Sequence, residues 1–395
     1  MMLAAWVHNI DPFIFKFTDS FGPRWYGMAY AAGFIVGYVV LRWLARRNAA
    51  LIPVQRVGDS IVLIALGVVV GGRVGYAVFY QPALFWTFSD SLPWWGLLDL
   101  TQGGMASHGG MLGVIAAAMF IARGWVDETG QRVGRAPLLH VLDLLCMLAP
   151  FGLFFGRLAN FVNGELLGRV VALPGESAPW WAVRFPQEIG STPSGGIVSE
   201  HMTPEVFVGV GEVIRPYISV DETMADGYAR VVEKIQGGSA ELAAQLGNYL
   251  SARHPSQLYQ ALAEGVICGL IVWWIARKPR LPGVVGCWFL ISYGLLRVVT
   301  EMWRLPDAHF DVGRPAGLSR GQWLSVLMVV IGVVLLVTFI RRGGTRIGGW
   351  LAPGISAVSA DSTIPAVSPS SGTPTGPAEA SDQKRDKKSA RNKST

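Results

Sequence analysis

Charge is what this chain has too little of. Asp, Glu, Lys and Arg make up 15% of its 395 residues, where an average soluble domain carries ~25%. Beside 51% hydrophobic residues, that deficit excludes an ordinary soluble globular protein. Cysteine is also scarce. Cys146, Cys268 and Cys287 all lie inside apolar runs, so they read as small buried hydrophobes and not as a disulfide framework. No pair has metal-ligand spacing, so neither a metal site nor a cofactor is expected. No serine or cysteine stands out as a nucleophile. Ser107 and His108 are adjacent in sequence, and adjacent residues do not face one another on a helix. If there is chemistry, the attacking atom is expected on a substrate. No basic stretch opens the chain, and Asp11, Lys16 and Asp19 interrupt its start; a cleavable leader is not expected. Nor is there an internal repeat of the transporter type.

What the chain does have is apolar runs, 48 Gly and 15 Trp, two residue types favoured in membrane proteins. The runs fall at 25–45, 57–79, 104–123, 138–161, 255–276, 283–302 and 320–340, each near the ~20 residues needed to cross a ~30 Å hydrocarbon core. The expected fold is therefore an all-α polytopic membrane protein with seven transmembrane helices in a domain covering 1–345. Residues 164–253 are of mixed polarity and punctuated by Pro and Gly, with a helical-looking piece near 222–250. They read as a small extracytoplasmic insert. Residues 346–395, rich in Ser, Pro, Thr and Ala and then basic, read as a disordered cytoplasmic tail. The basic clusters Arg42/Arg46/Arg47/Arg56, Arg123/Arg132/Arg135, Arg277-Lys278-Pro279-Arg280 and Arg341-Arg342 fall on one side if seven spans are counted. That side is the cytoplasm by the positive-inside rule, and the N-terminus lies outside. The formal net charge of +6 thus sits at helix ends and in the tail, which speaks against a nucleic-acid partner.

The polar residues near the outer ends of the spans carry the functional signal. They are Tyr26; Arg73; His108; Arg157, Asn160, Asn163 and Glu165; Tyr259 and Glu264; Arg297 and Glu301. An arginine near hydrocarbon costs at least ~2.5 kcal/mol at a helix centre and marks a functional site by default. The bland alternative for Arg157 is a snorkelling helix-end side chain. Arg73, Arg157 and Arg297 brought together would make a pocket for an anion, since arginine forks match phosphate oxygens. Within a membrane the simplest such anion is a phospholipid headgroup. Arg297 and Glu301 are spaced i,i+4 and can pair on one helix face, either as a charge-neutralising pair or in contact with substrate. Glu165 and Glu264 can pair with the arginines or orient them. His108 is flanked by small residues at a polar helix opening; imidazole is a common general base, although a lone histidine is more often structural.

These residues resemble a family. Gly156-Arg157-Leu158-Ala159-Asn160-Phe161-Val162-Asn163-Gly164-Glu165-Leu166-Leu167-Gly168 is similar to the signature of the phosphatidylglycerol–prolipoprotein diacylglyceryl transferases. Arg24-Trp25-Tyr26-Gly27, Gly72-Arg73-Val74-Gly75-Tyr76, Gly103-Gly104-Met105-Ala106-Ser107-His108-Gly109-Gly110, Arg253-His254-Pro255-Ser256-Gln257-Leu258-Tyr259, and Arg297 with Glu301 ahead of Arg304-Leu305-Pro306-Asp307 follow in the family's order. Gln260 departs from it, where the family usually has Glu. The resemblance implies transfer of the diacylglyceryl group of phosphatidylglycerol to the thiol of the lipobox cysteine in prolipoprotein signal peptides. That is the first step of bacterial lipoprotein maturation, at the inner membrane. It implies His108, Arg157 and Arg297 as catalytic residues, and Tyr26, Arg73, Asn160, Asn163, Glu165, Tyr259, Glu264 and Glu301 around the substrates, in contact with membrane lipid. An anion transporter using the same buried arginines, and a rhomboid-like intramembrane protease, are the competing classes. The first predicts repeat symmetry and the second a serine nucleophile with a distant histidine.

Overall fold

A computed structural model of the chain describes residues 5–17, 22–90, 92–99, 103–305 and 318–351. Helices α1 (Trp25–Arg46), α2 (Val57–Phe79), α3 (Ser107–Ala122) and α4 (Leu138–Asn163) precede the insert. Helices α5 (Pro204–Ile214), α6 (Met224–Gln236) and α7 (Ala240–Gly247) belong to it. After it, α8 (Ser256–Gln260), a π-helical stretch Ala261–Ile267 and α9 (Cys268–Ile275) run on as one rod, followed by α10 (Val284–Thr300) and α11 (Arg320–Arg342). Among the described residues, six rods are long and apolar enough to cross a membrane: α1, α2, α4, the α8–α9 rod, α10 and α11. The molecule is a polytopic membrane protein.

The expected run 104–123 is the exception in length. Gly103 and Gly104 take φ values of 77° and 84°, so the chain is still turning there, and α3 starts only at Ser107. Gly124, with φ 76°, ends it on the other side. At 1.5 Å per residue, its 16 residues span ~24 Å. α3 lies hard against α2, backbone on backbone: a methyl on Gly109 would overlap the Gly71 carbonyl, and one on Gly113 the Gly67 carbonyl. Small residues at such crossings replace the hydrophobic drive that lipid-immersed helices lack.

The helical core is built from Leu41, Leu44, Val57, Ala118, Ile121, Val141, Leu144, Cys268 and Val272. Two polar features in α4 that weaken it as a span have local explanations. Pro150 lies within the helix, and Asp143 is buried because it caps another one. Its carboxylate accepts from the backbone N–H of Gly283 at 2.7 Å and of Gly286 at 2.6 Å, satisfying the donors that open α10. The packed chain also runs past the expected tail boundary. Arg280 and Ile347 pair backbone to backbone, and Trp350 packs beside Trp43 and Trp273 while donating to the Trp273 carbonyl at 2.8 Å. The rest of the tail, from 352 on, lies outside the described residues.

The insert has its own core of Val210, Ile214, Val231, Ile235, Leu246 and Leu250. The helix expected near 222–250 is two helices, α6 and α7, broken at Gly237-Gly238. Short strands that the helical reading did not include are paired here. β1 (Trp6–Val7), β4 (Val170–Ala172), β5 (Val183–Arg184) and β8 (Ala252–Arg253) form one sheet in the order β1-β5-β8-β4, with β1 and β5 parallel. Two-stranded pairs of β2 (Trp125–Val126) with β3 (Arg132–Val133) and β6 (Gly190–Ser191) with β7 (Ile197–Val198) complete the set among the described residues. Arg253 and Glu188, both 2% exposed, join at 2.7 Å. The insert and the end of the helical bundle are thus tied at residues 164–170 and 252–256.

Candidate active site

The site is built where α4 stops. Gly164 takes a left-handed conformation, φ 65°, and the Glu165 N–H reaches back to the Asn160 carbonyl at 2.9 Å. This six-to-one bond is the Schellman closure, which glycine permits at low cost. It folds Glu165 back over the last turn. Asn160 Nδ2 then donates to Glu165 Oε2 at 3.2 Å and to Tyr26 Oη at 3.1 Å, and Asn163 Nδ2 donates to Glu165 Oε1 at 3.2 Å. Gln257 holds the turn from the other side through the Glu165 carbonyl, and Ser256 Oγ donates to the Leu166 carbonyl at 3.1 Å.

One turn deeper, Arg157 donates from Nε and Nη2 to Glu264 Oε2, at 3.1 and 2.9 Å. Arg297 Nη1 donates to Glu264 Oε1 at 3.1 Å, and its Nη2 meets Glu301 Oε2 at 3.1 Å. One fully buried carboxylate therefore holds two arginines, with one oxygen for each. Glu264 lies in the π-helical stretch Ala261–Ile267, a deviation from α-geometry that often occurs at functional sites. The two guanidinium groups keep further N–H groups and a narrow open face, with side chains 14% and 12% exposed. Buried charges need partners, and here Glu264 and Glu301 match the two arginines one for one.

The structure thus brings together Tyr26, Asn160, Asn163 and Glu165 as one hydrogen-bonded chain, and Arg157, Glu264, Arg297 and Glu301 as another. Glu165 serves the first and makes no bond to an arginine in this site; Glu264 does that work. Tyr259 stands to one side, its hydroxyl 3.4 Å from His254 Nδ1 and its ring edge against Trp303. His254 also stacks on Trp181, and burial pushes its imidazole below the ordinary value.

Two expected members are elsewhere. Arg73 is not part of the anion pocket. Its Nε donates to the Leu97 carbonyl, Nη1 to those of Gly103 and Gly104, and Nη2 to those of Gly96 and Asp99. All five guanidinium N–H groups are thereby occupied, which is why this side chain can be 6% exposed and offers nothing to a phosphate. His108 is exposed in the first turn of α3, with no side-chain hydrogen bond or ion pair among the described residues. Residues that the sequence did not single out include Tyr293, beside both site arginines, and Ser319. Ser319 falls in Gly317-Leu318-Ser319-Arg320-Gly321, which fits G-x-S-x-G spacing, but its hydroxyl accepts from Gln322 N as the N-cap of α11. Gln260 is wholly buried, and among the described residues its amide makes no hydrogen bond to the site carboxylates.

The chain is similar to known proteins over most of its length. Residues 12–338 match the family model described as prolipoprotein diacylglyceryl transferase. The chain is 40% identical over 354 residues to the phosphatidylglycerol–prolipoprotein diacylglyceryl transferase of Bdellovibrio bacteriovorus, covering 87% of this chain and 97% of that protein. It is 34% identical to the enzyme of the same name from Idiomarina loihiensis, covering 83% and 92%, and 35% identical to that of Ralstonia pickettii, covering 81% and 91%.

Proposed function

The chain belongs to the prolipoprotein diacylglyceryl transferase family, and we propose that Arg157 and Arg297 grip the phosphate of phosphatidylglycerol while its diacylglyceryl group passes to a prolipoprotein cysteine. The observation that carries this reading is the single carboxylate of Glu264 holding both arginines. The lipobox thiolate attacks the glycerol carbon that bears the phosphate. A carbon–sulfur bond forms, the carbon–oxygen bond to phosphate breaks, and glycerol phosphate leaves with that electron pair. The phosphodiester carries one negative charge and the departing monoester gains a second. Fixed guanidinium groups stabilise charge as it develops at no reorganisation cost. The thiol must lose its proton, since the thiolate is the nucleophile. His108, exposed in the first turn of α3, is the proton acceptor. Arg73 supports it by holding the connection that leads into that turn.

Glu264 and Glu301 orient the arginines. Asn160, Asn163 and Glu165 with Tyr26 shape the headgroup site, and Tyr259 with Trp303 forms its aromatic flank. The protein lies in the bacterial inner membrane with seven crossings, the shortest being α3, and with the insert outside. Contacts at the other end of the bundle support this orientation: Arg47 donates to the Trp350 carbonyl and Arg56 to that of Val126, which gathers the basic ends. Incubating the purified protein with phosphatidylglycerol and a lipobox peptide tests the activity. A thioether-linked diacylglyceryl product detected by mass supports it; its absence from active-membrane preparations refutes it.

A further inference from the structure

A cleft of about 360 Å³ opens beside α6 of the insert, and neither of the two side-chain networks uses it. Phe13 and Lys16 form one wall; Gln187, Ile189, Val232 and Glu233 form the other. Lys16 Nζ reaches Glu233 Oε1 at 3.2 Å. Both walls are anchored at the candidate active site. Phe13 pairs backbone to backbone with Arg24, two residues before Tyr26. Gln187 packs on Gly164, so closely that a Cβ there would overlap its amide, and Gly164 immediately precedes Glu165. Both walls are therefore linked through neighbouring residues to the two ends of the Tyr26–Asn160–Glu165 chain.

We propose that this cleft is an acceptor subsite, which binds the polypeptide segment following the modified cysteine. The inference rests on the transfer reading above. Of the two substrates, phosphatidylglycerol has its acyl chains in hydrocarbon and its headgroup at the arginines. Only the prolipoprotein has chain outside the membrane, and that chain must leave the site past the insert. The cleft matches a short extended peptide in chemistry: Phe13, Ile189 and Val232 take apolar or small side chains, beside the Lys16–Glu233 ion pair that joins the two walls. Its volume lies at the lower end of the ~300–1,000 Å³ typical of ligand sites, enough for side chains and not for a folded domain.

The test compares two acceptors with phosphatidylglycerol and the full-length enzyme: a lipobox peptide ending one residue after its cysteine, and the same peptide extended well beyond it. Ala229 is exposed on α6 and lines the cleft, so Ala229→Trp fills the cleft from outside. The expected result is a KM for the long acceptor raised ~10-fold, a loss of about one decade in affinity, with KM for the short acceptor and kcat for both unchanged. Glu233→Lys, also exposed, gives the same split with smaller amplitude and stands in if Ala229→Trp does not fold. Equal effects on both acceptors, or none on either in both variants, overturn the subsite. Failure of the wild type to modify either acceptor instead overturns the transfer reading itself.

Discussion

Glu264 stands between Arg157 and Arg297, 2.9 Å from one and 3.1 Å from the other, with no solvent exposure. Two arginines in a membrane protein repel each other and prefer water; this one carboxylate fixes both in place and in orientation. Replacing it separates positioning from binding. Glu264→Gln keeps the shape but removes the charge, and the guanidinium groups drift. Misplacement of ~1 Å can cost ~100-fold in rate, so transfer is expected to fall by about that much. Glu264→Ala leaves the buried Arg157 without a carboxylate and Arg297 with Glu301 alone, and destabilises the fold by ~3–5 kcal/mol, visible as a large drop in Tm in detergent. Near wild-type transfer in Glu264→Gln would show that the arginines need no such partner.

Arg73 provides the opposite case. Its role is to tie the connection between α2 and α3 through five carbonyls. Arg73→Ala strands those carbonyls, at a combined cost of ~5 kcal/mol given ~1 kcal/mol for a typical hydrogen bond. The KM for phosphatidylglycerol, measured on the folded fraction, is expected to stay within about twofold because the substrate never touches this residue. A large rise in that KM with unchanged Tm would return Arg73 to the anion pocket.

His8 gives a pH dependence. It is fully buried among Trp6, Phe161 and Phe185, and that desolvation lowers its pKa from 6.5 to about 4. The unfolded chain takes up a proton near pH 6.5 while the folded protein resists until about pH 4. Stability is therefore complete above the unfolded value and falls as pH drops through this window, by ~1.4 kcal/mol per unit and ~3 kcal/mol in all. His8→Leu should flatten that part of the Tm-against-pH curve; an unchanged slope would assign the acid sensitivity to other groups.

The α2–α3 crossing predicts a contrast between two glycines. Gly113→Ala inserts a methyl into the Gly67 carbonyl, whereas nothing lies within 4 Å of a methyl on Gly152. The first is expected to destabilise by ~1–3 kcal/mol, as overpacking does. The second is expected to be neutral or slightly stabilising, since alanine favours helix over glycine. Thermal unfolding of the two variants in detergent checks the difference.

Much of the fold was legible because long apolar runs leave few options. α1, α2, α4, α10 and α11 begin and end within a few residues of those runs. α3 came out shorter because Gly103 and Gly104 turn, a conformation that hydropathy does not encode. Strands of two or three residues are too short for an alternating pattern, so the small sheet was not visible. At the site, the Arg297–Glu301 pair could be read from i,i+4 spacing alone. The Arg157–Glu264 pair could not, since its members are 107 positions apart and Glu165 was an equally good partner on paper. Arg73 reads as a third pocket arginine for a related reason. Its actual partners are backbone carbonyls, and these carry no residue identity for a sequence to display.

The most direct test of the account is transfer from phosphatidylglycerol to a lipobox peptide by Arg157→Ala and Arg297→Ala, each purified and shown to be folded. Removing one charge-stabilising donor from a preorganised site typically costs ~10²–10³-fold in kcat, and both variants are predicted to lose at least that much, while His108→Ala retains more. Wild-type transfer by a folded Arg157→Ala or Arg297→Ala protein would contradict the claim that these two arginines, held by Glu264, stabilise the departing phosphate.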